Sequence, residues 1–189
     1  HRVTLYEKSA AVGGLLDFAH AVKGPHENLQ DLRAYLARQL ELAGVEVVTG
    51  REVDAAFVQE QRPDAVVVAI GGTRDTLGLS PAEGTSIVSI SDVLTTDIGE
   101  NVAIAGSNAQ AVDVALRLMA EGKRVTMITP DDMSQFGKGQ SNWVRTFVKP
   151  ILLARGMRVW PHAHITSAGG GEVRFSGETG VELSVPCDT

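Results

Sequence analysis

Residues 101–115 read NVAIAGSNAQAVDVA. The apolar run predicts a strand, Gly106 a tight turn out of it, and the stretch that follows a helix carrying Asp113 and Ala115. A strand, glycine turn and helix in that order present free backbone N–H groups and the positive end of a helix dipole. The chemistry this suits is the holding of a dinucleotide pyrophosphate. Set against the G-x-G-x-x-G pattern of the Rossmann phosphate turn, Gly106 supplies the first glycine. Ala111 is small enough for the third position, where helix and strand pack closely. The middle glycine is replaced by Asn108, flanked by Ser107 and Ala109. Asparagine tolerates a left-handed backbone, but its side chain takes space that phosphates would use. The turn marks the fold clearly and a nicotinamide-dinucleotide site weakly.

A second chemical position stands near the start. Residues 3–14 read VTLYEKSAAVGG, a strand ending on Glu7, then Lys8 and a loop carrying Gly13-Gly14. A carboxylate at a strand tip can accept hydrogen bonds from both hydroxyls of a ribose; the alternative is a solvated glutamate. The matching tip in the second half is Thr129, followed by Pro130, Asp131 and Asp132. No carboxylate stands at that tip and no arginine follows closely, so the choice between NADH and NADPH stays open. His162 and His164 have no Cys or carboxylate at ligand spacing and read as an exposed strand, not a metal pair. His20 and His26 read as surface residues, and Trp143 and Trp160 as core or interface anchors. No Ser-His-Asp, CxxC or paired-carboxylate arrangement is present.

These positions need strands and helices to hold them. After strand 3–7, residues 27–43 carry apolar positions at helical spacing and stop at Gly44. A short strand follows at 45–48. The valine-rich run at 64–70, DAVVVAI, predicts a parallel strand covered on both faces, and Gly71-Gly72 ends it. Residues 73–100 read as a less regular connection, with a short helix starting at 91–94. Strand 101–105, helix 109–121, strand 124–129, helix 142–155 with Pro150 inside it, and strand 157–160 then follow. Residues 164–185 alternate between glycine clusters and predict an antiparallel hairpin or meander. HRVTLYEKS echoes KRVTMITPD, and GVEVVTG echoes GMRVWPH, as a duplicated unit would. The expectation is an α/β chain of two Rossmann-like three-layer nucleotide-binding units, 1–97 and 98–189. The first lacks its N-terminal strand and glycine turn.

Bulk properties narrow the partners. A net charge of −6 over 189 residues argues against a nucleic-acid surface. No apolar run reaches the ~20 residues of a membrane span, and no signal peptide is read. The single cysteine, Cys187, permits neither an internal disulfide nor a thiolate metal cluster and reads as a small core residue. A reducing, cytoplasmic setting is expected.

VTLYEKSAAVGGLL, ENLQDLRAYLARQLELAGVEV, PDAVVVAIGG, DVL and NVAIAGSNAQAVDVAL occur here in an order and spacing that resemble one family. It is the C-terminal half of the old-yellow-enzyme-like NADH:flavin oxidoreductases, the group of 2,4-dienoyl-CoA reductase and the di- and trimethylamine dehydrogenases. The resemblance implies that Glu7, with Lys8 beside it, holds the adenosine ribose of FAD or ADP, and that Gly13, Gly14 and Leu15 line the same nucleotide. It implies that Val53 offers its backbone to the adenine. Ala69, Ile70 and Gly71 match the family's A-T-G turn, with Ile70 in place of threonine. NAD(P) would lie on the turn Gly106, Ser107, Asn108 and Ala109. An N-terminal barrel with FMN and an iron–sulfur cluster is expected outside this chain, so the chain alone is expected to be inactive and to bind FAD weakly.

Two functions compete on this reading. One is the electron-input region of a flavin reductase, passing hydride from NAD(P)H to FAD. The other is a structural ADP-binding module, as in the amine dehydrogenases, in which no hydride moves. Asn108 and the missing carboxylate at Thr129 favour the second. A third, an assembly domain that binds nothing, is raised by the missing first strand.

Overall fold

The structure is a computed structural model. It describes residues 1–72, 78–79 and 82–189, with the backbone but not the side chains of His26, Trp143 and Val144. The chain forms two compact units, His1–Thr73 and Arg74–Thr189, both α/β with parallel sheets.

In the first unit, strands β1 (Thr4–Glu7) and β2 (Glu46–Thr49) pair in parallel, Thr4 opposite Glu46 and Glu7 opposite Thr49. Helix α1 (Leu15–Lys23) opens directly after Gly13 and Gly14, whose φ values of 130° and 47° need glycine. The sequence reading had only a loop there. Helix α2 (Leu29–Leu42) follows a 3-10 turn, and Gly44 at φ 67° reverses the chain into β2. Helix α3 (Ala55–Gln61) is capped by Asp54, whose carboxylate accepts the Phe57 N–H at 2.8 Å.

The expected strand at 64–70 does not form. No ladder pairs these residues among those described, and Val67 and Ile70 are 88% and 89% exposed. A valine run without polar alternation suits a strand with neighbours on both sides and layers on both faces. Nothing among the described residues supplies them, and the backbone cannot be a strand on propensity alone.

The second unit is better filled. Strands β3 (Asn101–Ala105), β4 (Arg124–Ile128) and β5 (Arg158–Trp160) form a parallel sheet in that order. Helix α4 (Ala109–Ala120) buries Ala111, Val112, Val114, Ala115 and Leu118, the spacing of one helical face. Helix α5 (Asn142–Ala154) runs through Pro150. Strands β6 (His164–Gly169), β7 (Glu172–Ser176) and β8 (Glu182–Pro186) form the expected antiparallel meander. Ile128, Ala163, Val173, Phe175, Val185 and Cys187 make one core cluster of sheet and meander. Trp160 lies 5.1 Å from the Phe175 ring, and Cys187 is buried as expected, its thiol pushed up by that burial.

The connection before β3 belongs with this unit, so contact divides the chain at 73/74, where the sequence suggested 97/98. Ser86 N donates to Asp188 O at 3.0 Å, Thr85 Oγ1 to Cys187 O at 3.1 Å, and Gly170 N to Glu83 O at 2.6 Å. Residues 91–94 make a turn, not a helix. The echo seen in the sequence has a structural counterpart, because β1–α2–β2 and β4–α5–β5 are both parallel strand pairs joined through a helix. Among the described residues no helix is long and apolar enough to cross a membrane.

Candidate nucleotide sites

The first unit brings Glu7, Lys8 and Val53 to one edge. Glu7 ends β1, and its main-chain oxygen accepts from Arg51 N at 3.0 Å, while Ser9 O accepts from Gly50 N at 2.9 Å. This pair of bonds draws the loop after β2, with Val53 on it, beside the strand tip. The Glu7 carboxylate accepts the Ser9 N–H at 2.7 Å, and that bond, foremost, holds its pKa below the usual value. An anionic, partly exposed carboxylate at a strand tip is able to accept hydrogen bonds from ribose hydroxyls. Gly13 and Gly14 head α1, and Leu15, its first residue, is 59% exposed. Arg33 fixes this loop from α2, donating Nε to Val12 O at 2.9 Å and pairing with Asp17 at 3.3 Å. Ala69, Ile70 and Gly71 sit in the exposed segment, with Gly71 at φ 74°. No backbone hydrogen bond ties them to the Glu7 edge among the described residues.

The second unit builds its turn as expected and then covers it. Gly106 has φ 97° and donates its N–H to Ile128 O at 2.8 Å, locking the turn to β4. Asn108 has φ −71° and ψ 178°, so the left-handed tolerance of asparagine is not used. Its side chain is instead the N-cap of α4, accepting the Ala111 N–H at 3.0 Å. Ala109 N donates to Lys138 O at 2.9 Å, and Gly137 N donates to Ser107 O at 2.7 Å. Gln140 Nε2 reaches Asp113 Oδ1 at 2.9 Å. The loop after β4 thus takes up the Ala109 N–H, one of the groups a pyrophosphate would use.

The tip of β4 is equally engaged. Thr129 is 1% exposed, accepts from Asp131 N at 3.2 Å, and takes the Ser107 hydroxyl at 3.4 Å. Asp132 accepts from Ser134 N at 2.7 Å and faces His162 Nε2 at 3.2 Å, while His162 Nδ1 lies 3.4 Å from Glu178. His162 therefore stands in a turn at φ 50°, between two carboxylates, while His164 is on β6. Among the described residues no His, Cys, Asp or Glu group can hold a metal ion. His20, read as a surface residue, lies inside α1 and is half-buried.

The residues missed from sequence are Gly137, Lys138, Gln140, Arg145 and Lys149. The only local signal is G-K-G at 137–139, which announces a tight turn. No spacing rule ties such a turn to a helix start thirty residues earlier.

No protein-family model matches the chain. It is 33% identical to the NADH oxidase of Thermoanaerobacter brockii over 134 residues, which is 68% of this chain and 20% of that protein. In fold it is similar to 2-naphthoyl-CoA reductase, with a TM-score of 0.81 and 21% identity over all of this chain and 28% of that one. Histamine dehydrogenase from Rhizobium sp. 4-9 gives a TM-score of 0.79 at 18% identity, over all of this chain and 31% of that one. The chain therefore spans a fifth to a third of the length of these three proteins. Sequence kinship and fold agree with the resemblance carried by the motifs: the chain is similar to one region of larger oxidoreductases.

Proposed function

We propose that this chain is the nucleotide-holding region of a flavin-dependent oxidoreductase, with the first unit gripping the adenosine of FAD or ADP through Glu7. The observation that carries this reading is the Glu7 edge: an anionic carboxylate at a parallel strand tip, beside the loop that carries Val53. When FAD is the nucleotide, it would supply a two-electron acceptor for hydride from NAD(P)H, and the chain would serve electron input. The residues of this chain would fix the ribose and loop Ala10–Leu15 and leave the organic chemistry to other parts of the protein.

A specific observation favours the second reading, a structural ADP-binding module without NAD(P)H turnover. The phosphate turn of the second unit has the N–H groups of Gly106, Ala109 and Ala111 bonded within the chain, which weakens it as a seat for a dinucleotide pyrophosphate. Nucleotide released by denaturing the full-length protein separates the readings. FAD beside any FMN supports electron input, colourless ADP supports the structural module, and release of neither refutes both.

A further inference from the structure

We propose that the segment Asp132–Gln140 is a strap that shuts the phosphate turn of the second unit against dinucleotides, and that Arg145 and Lys149 hold it shut. The inference rests on reading that unit as a nicotinamide-dinucleotide fold, and concerns a different seat from the Glu7 edge.

Three contacts make the closure direct. The N–H of Ala109, at the head of α4, is bonded to Lys138 O. Ser107 O is bonded to Gly137 N. The backbone of Gly139 lies so near that a Cβ there would stand 3.3 Å from the Ala109 methyl. A pyrophosphate draws its affinity from N–H groups at a helix start, such as that of Ala109, and from the space in front of them. One N–H directs one strong hydrogen bond, so strap and phosphate cannot both be served.

The strap is anchored along its length. Phe136 is 2% exposed. Arg145 donates Nε to Phe136 O at 2.8 Å and a terminal nitrogen to Ser134 O, and Lys149 Nζ donates to Met133 O at 3.3 Å. These α5 cations are spent on strap carbonyls. At one end Asp132 caps the 3-10 turn Met133–Gln135, and at the other Gln140 is bonded to Asp113. The middle is thus tied to α5 and the Gln140 end to α4, and release of the α5 anchors frees the middle alone.

Occlusion of this kind lowers apparent affinity by the fraction of molecules with the strap open. The test uses the full-length protein, titrated with NADH and with NADPH, and amide hydrogen exchange resolved at Ala109 and Gly137. In the wild type both amides should be protected, and millimolar nucleotide should leave them unchanged. Arg145→Ala should speed their exchange and tighten NADH or NADPH binding at Gly106–Ala111 by roughly tenfold or more. Should that variant fail to fold, Lys149→Gln carries the same test. Wild-type binding at Gly106–Ala111 with the Ala109 and Gly137 amides still protected overturns the proposal. So does faster exchange in the variant with no gain in affinity, and so does exchange unmoved by either substitution. A failed strap leaves nucleotide release and Glu7 effects untouched, so the two readings fail separately.

Discussion

Glu7, at the tip of β1, and Asp132, in the loop after β4, show how a carboxylate can be committed in different directions. Both are held below their usual pKa, Glu7 first by the Ser9 N–H and Asp132 first by the Ser134 N–H. Glu7 lies half-buried at the end of β1, and two charge-assisted hydrogen bonds from a ribose would add to its energy. Glu7→Ala in the full-length protein should weaken adenosine-nucleotide binding by roughly tenfold or more, as the loss of one such bond to a charged group implies. Equilibrium dialysis with an unchanged affinity would show a merely solvated strand end. Asp132 instead stabilises its own turn and faces His162. Its folded pKa is depressed, so its contribution is complete above the ordinary value of 3.8 and is lost as pH falls through the lower folded value. The Ser134 amide resonance, followed by NMR from neutral to acid pH, should move with a midpoint below 3.8. A midpoint at or above that value would remove the Asp132 cap from the account of the strap.

At the level of elements, Asn108 turns a weakened motif into a firm helix start. Its extended backbone and the bond to Ala111 N make it an ordinary cap, and Asn108→Ala should cost about 1 kcal/mol of unfolding free energy while Asn108→Gly costs only a few tenths. Urea denaturation of the second unit, read by tryptophan fluorescence, measures both. Equal losses for the two variants would mean that the side chain is not the cap. The strand, turn and helix at 101–120 were readable because their signals are local: an apolar run, a glycine at positive φ, apolar residues at helical spacing. The meander was readable for the same reason, from glycine clusters between short alternating runs. The segment 64–70 was misread because a valine run states only what would cover it, and covering is a tertiary event. The strap was invisible because every bond that defines it joins residues far apart in sequence, Lys138 to Ala109 and Gly137 to Ser107. The Glu7 edge lay between these cases. Its carboxylate was legible from strand position, while the Arg51 bond that draws Val53 beside it was not.

Over the whole chain the two units differ in how well they are filled, and stability should follow. Among the described residues of the first unit only Val22 is buried, and α2 leaves Leu32, Tyr35, Leu36 and Leu42 between 43% and 64% exposed. The second unit buries one side of α4, the inner face of the meander and the middle of β4, with Val112, Met127, Leu152 and Phe175 at 0%. Burial of apolar area is the main favourable term against chain entropy, at roughly 25 cal/mol per Å², so the first unit should open at lower denaturant. The sequence offers a separation of probes. Both tryptophans, Trp143 and Trp160, lie in the second unit, whereas α1, α2 and α3 contribute helical signal from the first. In a urea titration of this chain, far-ultraviolet circular dichroism should lose amplitude in an early step that tryptophan fluorescence does not see, and the two should then fall together. Coincident curves across both probes, fitting one two-state transition, would show that the units unfold as one and that the sparse interior of the first is stabilised by the second.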